Sequence, residues 1–242
     1  RRKEKELRAR ELERMGRSVS PFAAPLSRVI HSVLDNSMSP EEKIWVDRIE
    51  ALRDELVKQT ERSVTMTDYG AGDPGDEYSQ RESAEGMVIT RIVSDIVQGG
   101  GLSYRWRFLL FRLLREFQPK TCVELGTSLG MSACYQSAAL ELNGNGRLMT
   151  LDGAASLAEI AVENFGKIGL QHRVESVVGR FQDTLNEVLR THMPVDYGFI
   201  DGHHDEQATI DYFEQFLPFL ADGAMLVFDD IMWYEGMQRA WQ

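Results

Sequence analysis

Val123-Glu124-Leu125-Gly126-Thr127-Ser128-Leu129-Gly130 is the stretch on which the fold turns. It continues an apolar run that begins at Thr121 and opens into a helical pattern from about Met131 to Leu142, so it reads as a strand, a glycine-bearing turn and a helix. Gly126 lets the backbone pass close to a ligand, and Gly130 permits tight entry into the helix. The glycines are spaced Gly-x-x-x-Gly. A dinucleotide fingerprint would read Gly-x-Gly-x-x-Gly and aim helix N-terminal amides at a pyrophosphate. The carboxylate of Glu124 at the strand end would repel such a group but would accept a hydrogen bond from an ammonium.

Downstream, four more short apolar runs alternate with helical stretches: Arg147 to Leu151, Val174 to Val178, Tyr197 to Ile200 and Ala224 to Phe228. Strands alternating with helices in this way indicate βα units and a parallel sheet, with ligands at the carboxyl ends of the strands near the point where strand order reverses. Those ends carry Asp152, then Gly179-Arg180-Phe181, then Asp201-Gly202-His203-His204, then Asp229-Asp230. Neighbouring strands lie about 5 Å apart, so Asp201, Asp229 and Asp230 are expected to converge. Three unpaired carboxylates repel one another unless a hard cation, protonation or hydrogen-bond donors intervene, and a magnesium-like ion is the simplest remedy.

Upstream, residues 1–17 are mostly Arg, Lys and Glu, which reads as a solvated helical tail or a partner-binding arm. Ser39-Pro40-Glu41-Glu42 supplies an N-cap, a first-turn proline and a capping-box glutamate ahead of Trp45, Ile49, Leu52 and Leu56 at helical spacing. With Pro21 to Leu34, this predicts a helical N-terminal region over residues 1–67 that covers the sheet or pairs with a second copy of the chain. Asp68 to Glu85 is rich in Gly, Asp and Ser and reads as a loop. Helices are expected at Met87 to Val97 and, capped by Ser103, at Ser103 to Phe117. A lid-and-linker segment thus spans 68–101, and the sheet domain spans 102–242.

Glu124-Leu-Gly-Thr-Ser-Leu-Gly130 resembles the first motif of class I S-adenosylmethionine-dependent methyltransferases, and the five strand-end signals over Leu102 to Trp241 arrive in that family's order. The resemblance implies an α/β fold with a Rossmann-like, doubly wound, mainly parallel sheet, continued past Gln242 by a helix and an antiparallel strand pair. It implies a donor site built from Glu124, Gly126, Thr127, Ser128, Gly130 and Ser132 on the first turn. Asp152 and Gly153 would take the ribose side, Gly179, Arg180 and Phe181 the adenine side, and Asp201 would reach the donor as well. The Asp-Gly-x-His and Phe-Asp-Asp signatures are similar to those of catechol- and caffeoyl-CoA-type O-methyltransferases, where acids after the fourth and fifth strands hold a divalent metal. By that likeness Asp201, Asp229 and Asp230 are the metal ligands, with Asp230 standing where the family has an amide. His204 matches the base that takes the acceptor's hydroxyl proton, with Asp201 beside it. The same signatures occur in a broader group of small-molecule methyltransferases, not all of which need use metal. The upstream Asp68-Tyr69-Gly70-Ala71-Gly72 matches a segment expected to act as a lid over the donor.

Composition narrows the function classes. A formal net charge of −11 argues against nucleic acid as a substrate, and no apolar run approaches membrane-spanning length. Neither a signal peptide nor a membrane association is expected, so a cytoplasmic protein acting on a small-molecule acceptor is. Cys122 and Cys134 fall inside a strand and a helix, where a thiol behaves as a buried hydrophobe rather than a disulfide partner.

Overall fold

The computed structural model describes residues 12–69, 86–99 and 101–242. Residues 12–16 are helical and are followed by α1 (Ala23–Leu34) and α2 (Pro40–Val57). The capping box forms at α2: Glu42 N donates to Ser39 Oγ at 3.3 Å, and Ser39 N to Glu42 Oε2 at 2.9 Å. Glu42 does more than cap, because its Oε1 also accepts from Arg112 at 2.8 Å and Arg115 at 3.1 Å, riveting α2 to a later helix through a largely desolvated ion cluster.

A two-stranded antiparallel hairpin, β1 (Ser63–Asp68) with β2 (Met87–Ile92), precedes α3 (Val93–Gly99) and α4 (Tyr104–Phe117). The hairpin corrects two sequence expectations. Residues 63–67 are strand rather than part of a helical region, and Met87 to Ile92 is strand rather than the first half of a helix. The physical reason is the β-branched run Val88-Ile89-Thr90, which pairs with Thr65-Met66-Thr67 and is pinned by a Thr65–Thr90 hydroxyl contact of 2.9 Å. The hairpin also rests on the sheet domain, since Ser156 Oγ donates to Thr65 O at 2.9 Å.

Five parallel strands follow: β3 (Thr121–Leu125), β4 (Arg147–Asp152), β5 (Val174–Val178), β6 (Val195–Ile200) and β7 (Leu220–Phe228). Between and after them run α5 (Met131–Asn143), α6 (Ala155–Ile168), α7 (Phe181–His192), α8 (Glu206–Phe216) and α9 (Glu235–Ala240). The sheet order is β5-β4-β3-β6-β7, so the chain starts in the middle, runs outward one way and then the other. That reversal opens a crevice between β3 and β6 at their carboxyl ends.

Strand periodicity divides the core. Cys122, Leu148, Tyr197 and Phe199 face one side, in a cluster shared with Ile49, Leu56, Phe108, Phe111 and Leu140. Val123, Leu125, Met149, Leu151 and Ile200 face the other, with Leu185, Leu189 and Phe216. The N-terminal helices therefore share one continuous apolar cluster with the sheet. Both cysteines are buried and free. Among the described residues no helix is long and apolar enough to cross a membrane.

Candidate active site at the strand ends

The ladder continues just past the strands and locks their tips together. Asp201 N donates to Leu125 O at 2.9 Å, Gly126 N to Leu151 O at 2.9 Å, Gly179 N to Asp152 O at 2.9 Å and Asp229 N to Ile200 O at 3.0 Å. Gly126 must then pass under β6. With φ of +104°, a Cβ there would lie 1.9 Å from the carbonyl oxygen of Asp201, so only glycine fits. Gly130 caps α5 against the Phe165 ring.

Above these tips lies a cavity of about 750 Å³, a size suited to a small-molecule site. Gly126, Thr127, Ser128 and Ser132 form its floor on the first turn, and Asp152 and Gly153 continue it. Arg180 and Phe181 line a third side. Asp201, His204, Asp229 and Asp230 line the last. Of the residues expected at the donor site, Glu124, Gly130 and Gly179 do not line the cavity.

Asp152 is set by backbone amides: Oδ2 accepts from Ser128 N at 2.7 Å and Oδ1 from Ala154 N at 2.8 Å. Burial raises its pKa, and these amides oppose the rise. A carboxylate has about four lone-pair sites, so beyond these amides it can still accept a further donor, as a diol requires.

Glu124 lies elsewhere than expected for a ligand to an ammonium. Strand alternation turns it toward α5, under the floor, where it has no solvent exposure. Oε1 accepts from Gln136 Nε2 at 2.6 Å and Oε2 from Thr150 Oγ1 at 2.6 Å. Burial pushes its pKa up to about 7, against the pull of Thr150, Ser132 and Gln136. The folded state therefore holds a proton that the unfolded chain releases near 4.5, and the folded state is penalised as pH rises from about 5 to about 7. The full penalty is roughly 3 kcal/mol. Denaturant unfolding of the wild type against Glu124→Gln is expected to show a stability difference that shifts in the variant's favour over this window and is flat above it.

At the fourth and fifth strand ends the convergent set is Asp201, His204 and Asp230, whose ligand atoms all lie within 4.8 Å of one another. His204 Nε2 is 3.8 Å from Asp201 Oδ1 and 3.7 Å from Asp230 Oδ2. Asp229 lines the cavity and is the carboxylate that acts most strongly on Asp201, while His204 joins Asp201 and Asp230 in the convergent set. Positive φ at His204 (46°) and Asp230 (52°) turns these side chains inward from the loops. Burial, then Asp229, Glu124 and Asp230, holds Asp201 well above the usual carboxylate range. Burial lowers the pKa of His204 and outweighs the nearby acids, leaving the imidazole neutral with a lone pair available.

Trp233, Arg91 and Trp106 line the cavity without a signal in the sequence, whereas Asp68 and Tyr69 belong to the expected lid segment. Trp233 stacks on His204 at 5.8 Å with 8° between the rings. Tyr69 rests against Gly153, and Asp68, Arg91 and Trp106 complete the wall. Asp68, Arg91 and Trp106 come from the hairpin and α4, Tyr69 directly follows β1, and Trp233 lies between β7 and α9. His203 is half-buried and held by Tyr212 Oη at 2.8 Å. Residues 70–72 of the expected lid lie outside the described residues.

Residues 123–231 match the methyltransferase-domain family model, a little under half of the chain. The chain is 32% identical over 116 residues to a catechol O-methyltransferase of Niastella koreensis, covering 48% of this chain and 51% of that protein. Among solved structures it is similar to an O-methyltransferase from Bacillus cereus in complex with SAH, with a TM-score of 0.54 and 25% identity over 59% of this chain and 70% of that one. It is also similar to the O-methyltransferase TomG from Streptomyces achromogenes in complex with SAM, with a TM-score of 0.51 and 28% identity over 58% and 67% of the two chains. The chain spans about half the length of the curated relatives it matches. The strand order, the crevice beside Gly126 and these likenesses agree: residues 123–231 match a methyltransferase domain and carry the Rossmann-like sheet of the O-methyltransferases to which the chain is similar.

Proposed function

We propose that this chain transfers the methyl group of S-adenosylmethionine to a hydroxyl of a small molecule. The observation that carries the reading is the single cavity wall running from the Gly126 turn through Asp152 to the Asp201, His204 and Asp230 cluster, which puts a donor cradle and a proton-handling cluster side by side. The solved complexes of similar O-methyltransferases with SAH and SAM support the choice of donor. Asp152 takes the ribose hydroxyls with Gly153 beside it, Phe181 flanks the adenine, and Asp201 faces the methionine end.

Two carboxylates and an imidazole within 4.8 Å form a donor set that fits a divalent cation. Asp201 and Asp230 would hold it. A bound cation supplies charge that lowers the pKa of a coordinated hydroxyl. The chain's own residues do the rest. The cavity orients acceptor oxygen toward the donor sulfonium, the apolar faces of Trp233 and Phe181 exclude water, and neutral His204 accepts the hydroxyl proton at Nε2.

A second reading has a specific observation behind it: Nε2 of His204 belongs to the convergent set, so it is a ligand instead of a base. Its one lone pair cannot serve both roles. Methyl transfer from labelled donor to a panel of phenols, sugars and hydroxy acids, run with EDTA and with added magnesium or manganese, tests both. Activity lost on chelation and restored by metal is expected. Full activity in EDTA would remove the metal from the mechanism and leave His204 as base. Wild-type metal affinity in His204→Gln favours the base, and a large loss of affinity favours the ligand.

A further inference from the structure

Glu124, Thr150 and Thr127 form a chain of short hydrogen bonds that ends on the cavity floor. Thr150 Oγ1 donates to Glu124 Oε2 at 2.6 Å, and the Thr127 and Thr150 hydroxyls are 2.7 Å apart. All three side chains are essentially without solvent exposure. Because Thr150 has one hydroxyl proton and gives it to the carboxylate, it accepts from Thr127. Gln136 holds the other carboxylate oxygen at 2.6 Å, and Ser132, a floor residue, adds a third favourable interaction. The neighbours of Glu124 along β3 are Cys122, Val123 and Leu125, all buried and apolar. A carboxyl in that company is costly unless fully partnered, and a hydrophobe of the same volume would serve packing better.

We infer that Glu124 is a positioning residue for methyl-donor binding, fixing the Gly126–Gly130 turn from below through the Thr150 and Thr127 hydroxyls rather than touching the donor itself. The inference rests on the proposed donor site and deepens it. Thr127 and Ser128 are consecutive: one is tied downward to Thr150, and the other gives its amide to Asp152 at 2.7 Å. The chain of hydroxyls therefore sets the height of the very peptide that orients the carboxylate assigned to the ribose. Losing it lets the turn rise and Asp152 rotate, which penalises donor binding before it penalises chemistry.

The test compares Thr150→Val, which keeps shape and loses the hydroxyl, with Thr150→Ser, which keeps the hydroxyl. S-adenosylhomocysteine affinity by calorimetry, donor KM and kcat, and the melting temperature are read for each. About tenfold or greater weakening of S-adenosylhomocysteine in Thr150→Val is expected, carried by donor KM more than by kcat, with near wild-type values in Thr150→Ser. Wild-type affinity in Thr150→Val, whatever its melting temperature, would overturn the inference, as would equal losses in the two variants. Should Thr150→Val not fold, Thr127→Val carries the same expectation and the same refutation. Failure of the wild-type chain to bind S-adenosylhomocysteine would overturn the donor site and this inference together, whereas an unaffected Thr150→Val overturns this inference alone.

Discussion

Gly126→Ala is expected to abolish binding of S-adenosylhomocysteine and to destabilise the fold by several kcal/mol. A methyl group at this position would stand 1.9 Å from the Asp201 carbonyl oxygen, well inside any tolerable contact, and the blocking atom is backbone. Relief requires β6 to move away from β3. Those strands are joined directly at this point, through the Asp201 amide bonded to Leu125 O at 2.9 Å. A φ of +104° adds conformational strain for any residue with a side chain. The same shift would carry Asp201 away from His204 and Asp230, so affinity and catalysis fall together. Circular dichroism melting and calorimetry on one preparation check both halves. A stable Gly126→Ala protein that binds like wild type would mean that the strand tips are not locked as described.

Asp201→Asn is expected to lower methyl transfer by roughly a thousandfold while leaving the fold intact or making it more stable. The expected loss corresponds to about 4 kcal/mol of transition-state stabilisation, the scale of a lost metal ligand or preorganised charge. The stability gain has a separate cause. Burial and the facing carboxylates raise the pKa of Asp201 in the folded state, so above the usual carboxylate range its ionisation weighs against folding, and the neutral amide removes that cost. The expected result is therefore a variant less active yet harder to unfold at pH 8 than the wild type, by turnover and urea denaturation. A fall in stability at that pH would show that Asp201 already has a compensating partner. Unchanged turnover would remove it from the chemistry.

Much of this was legible in the sequence because the deciding signals are local. Short apolar runs broken by glycine and acid punctuation gave five strands whose bounds differ from those found by a few residues, the largest difference being β7, which starts at Leu220 rather than Ala224. The Ser39 capping box was readable because a cap is written within four residues. The errors have long-range causes. Met87 to Ile92 has enough apolar residues to suit a helix and becomes strand only because Ser63 to Asp68 lies beside it. Glu124 reads as a ligand from its motif, but its direction depends on strand phase and on Gln136 and Thr150, which lie well away in sequence. That His204 joins Asp201 and Asp230 in the convergent cluster goes with the left-handed backbone of His204 and Asp230 in their loops, a local conformation the strand pattern does not specify.

The central claim is that the tips of β3, β4 and β6 form one methyl-donor site. Calorimetric titration of the chain with S-adenosylhomocysteine tests it most directly. Saturable one-to-one binding, with no comparable response to NAD, is the predicted result. No detectable binding of S-adenosylhomocysteine, or tighter binding of NAD, would contradict it.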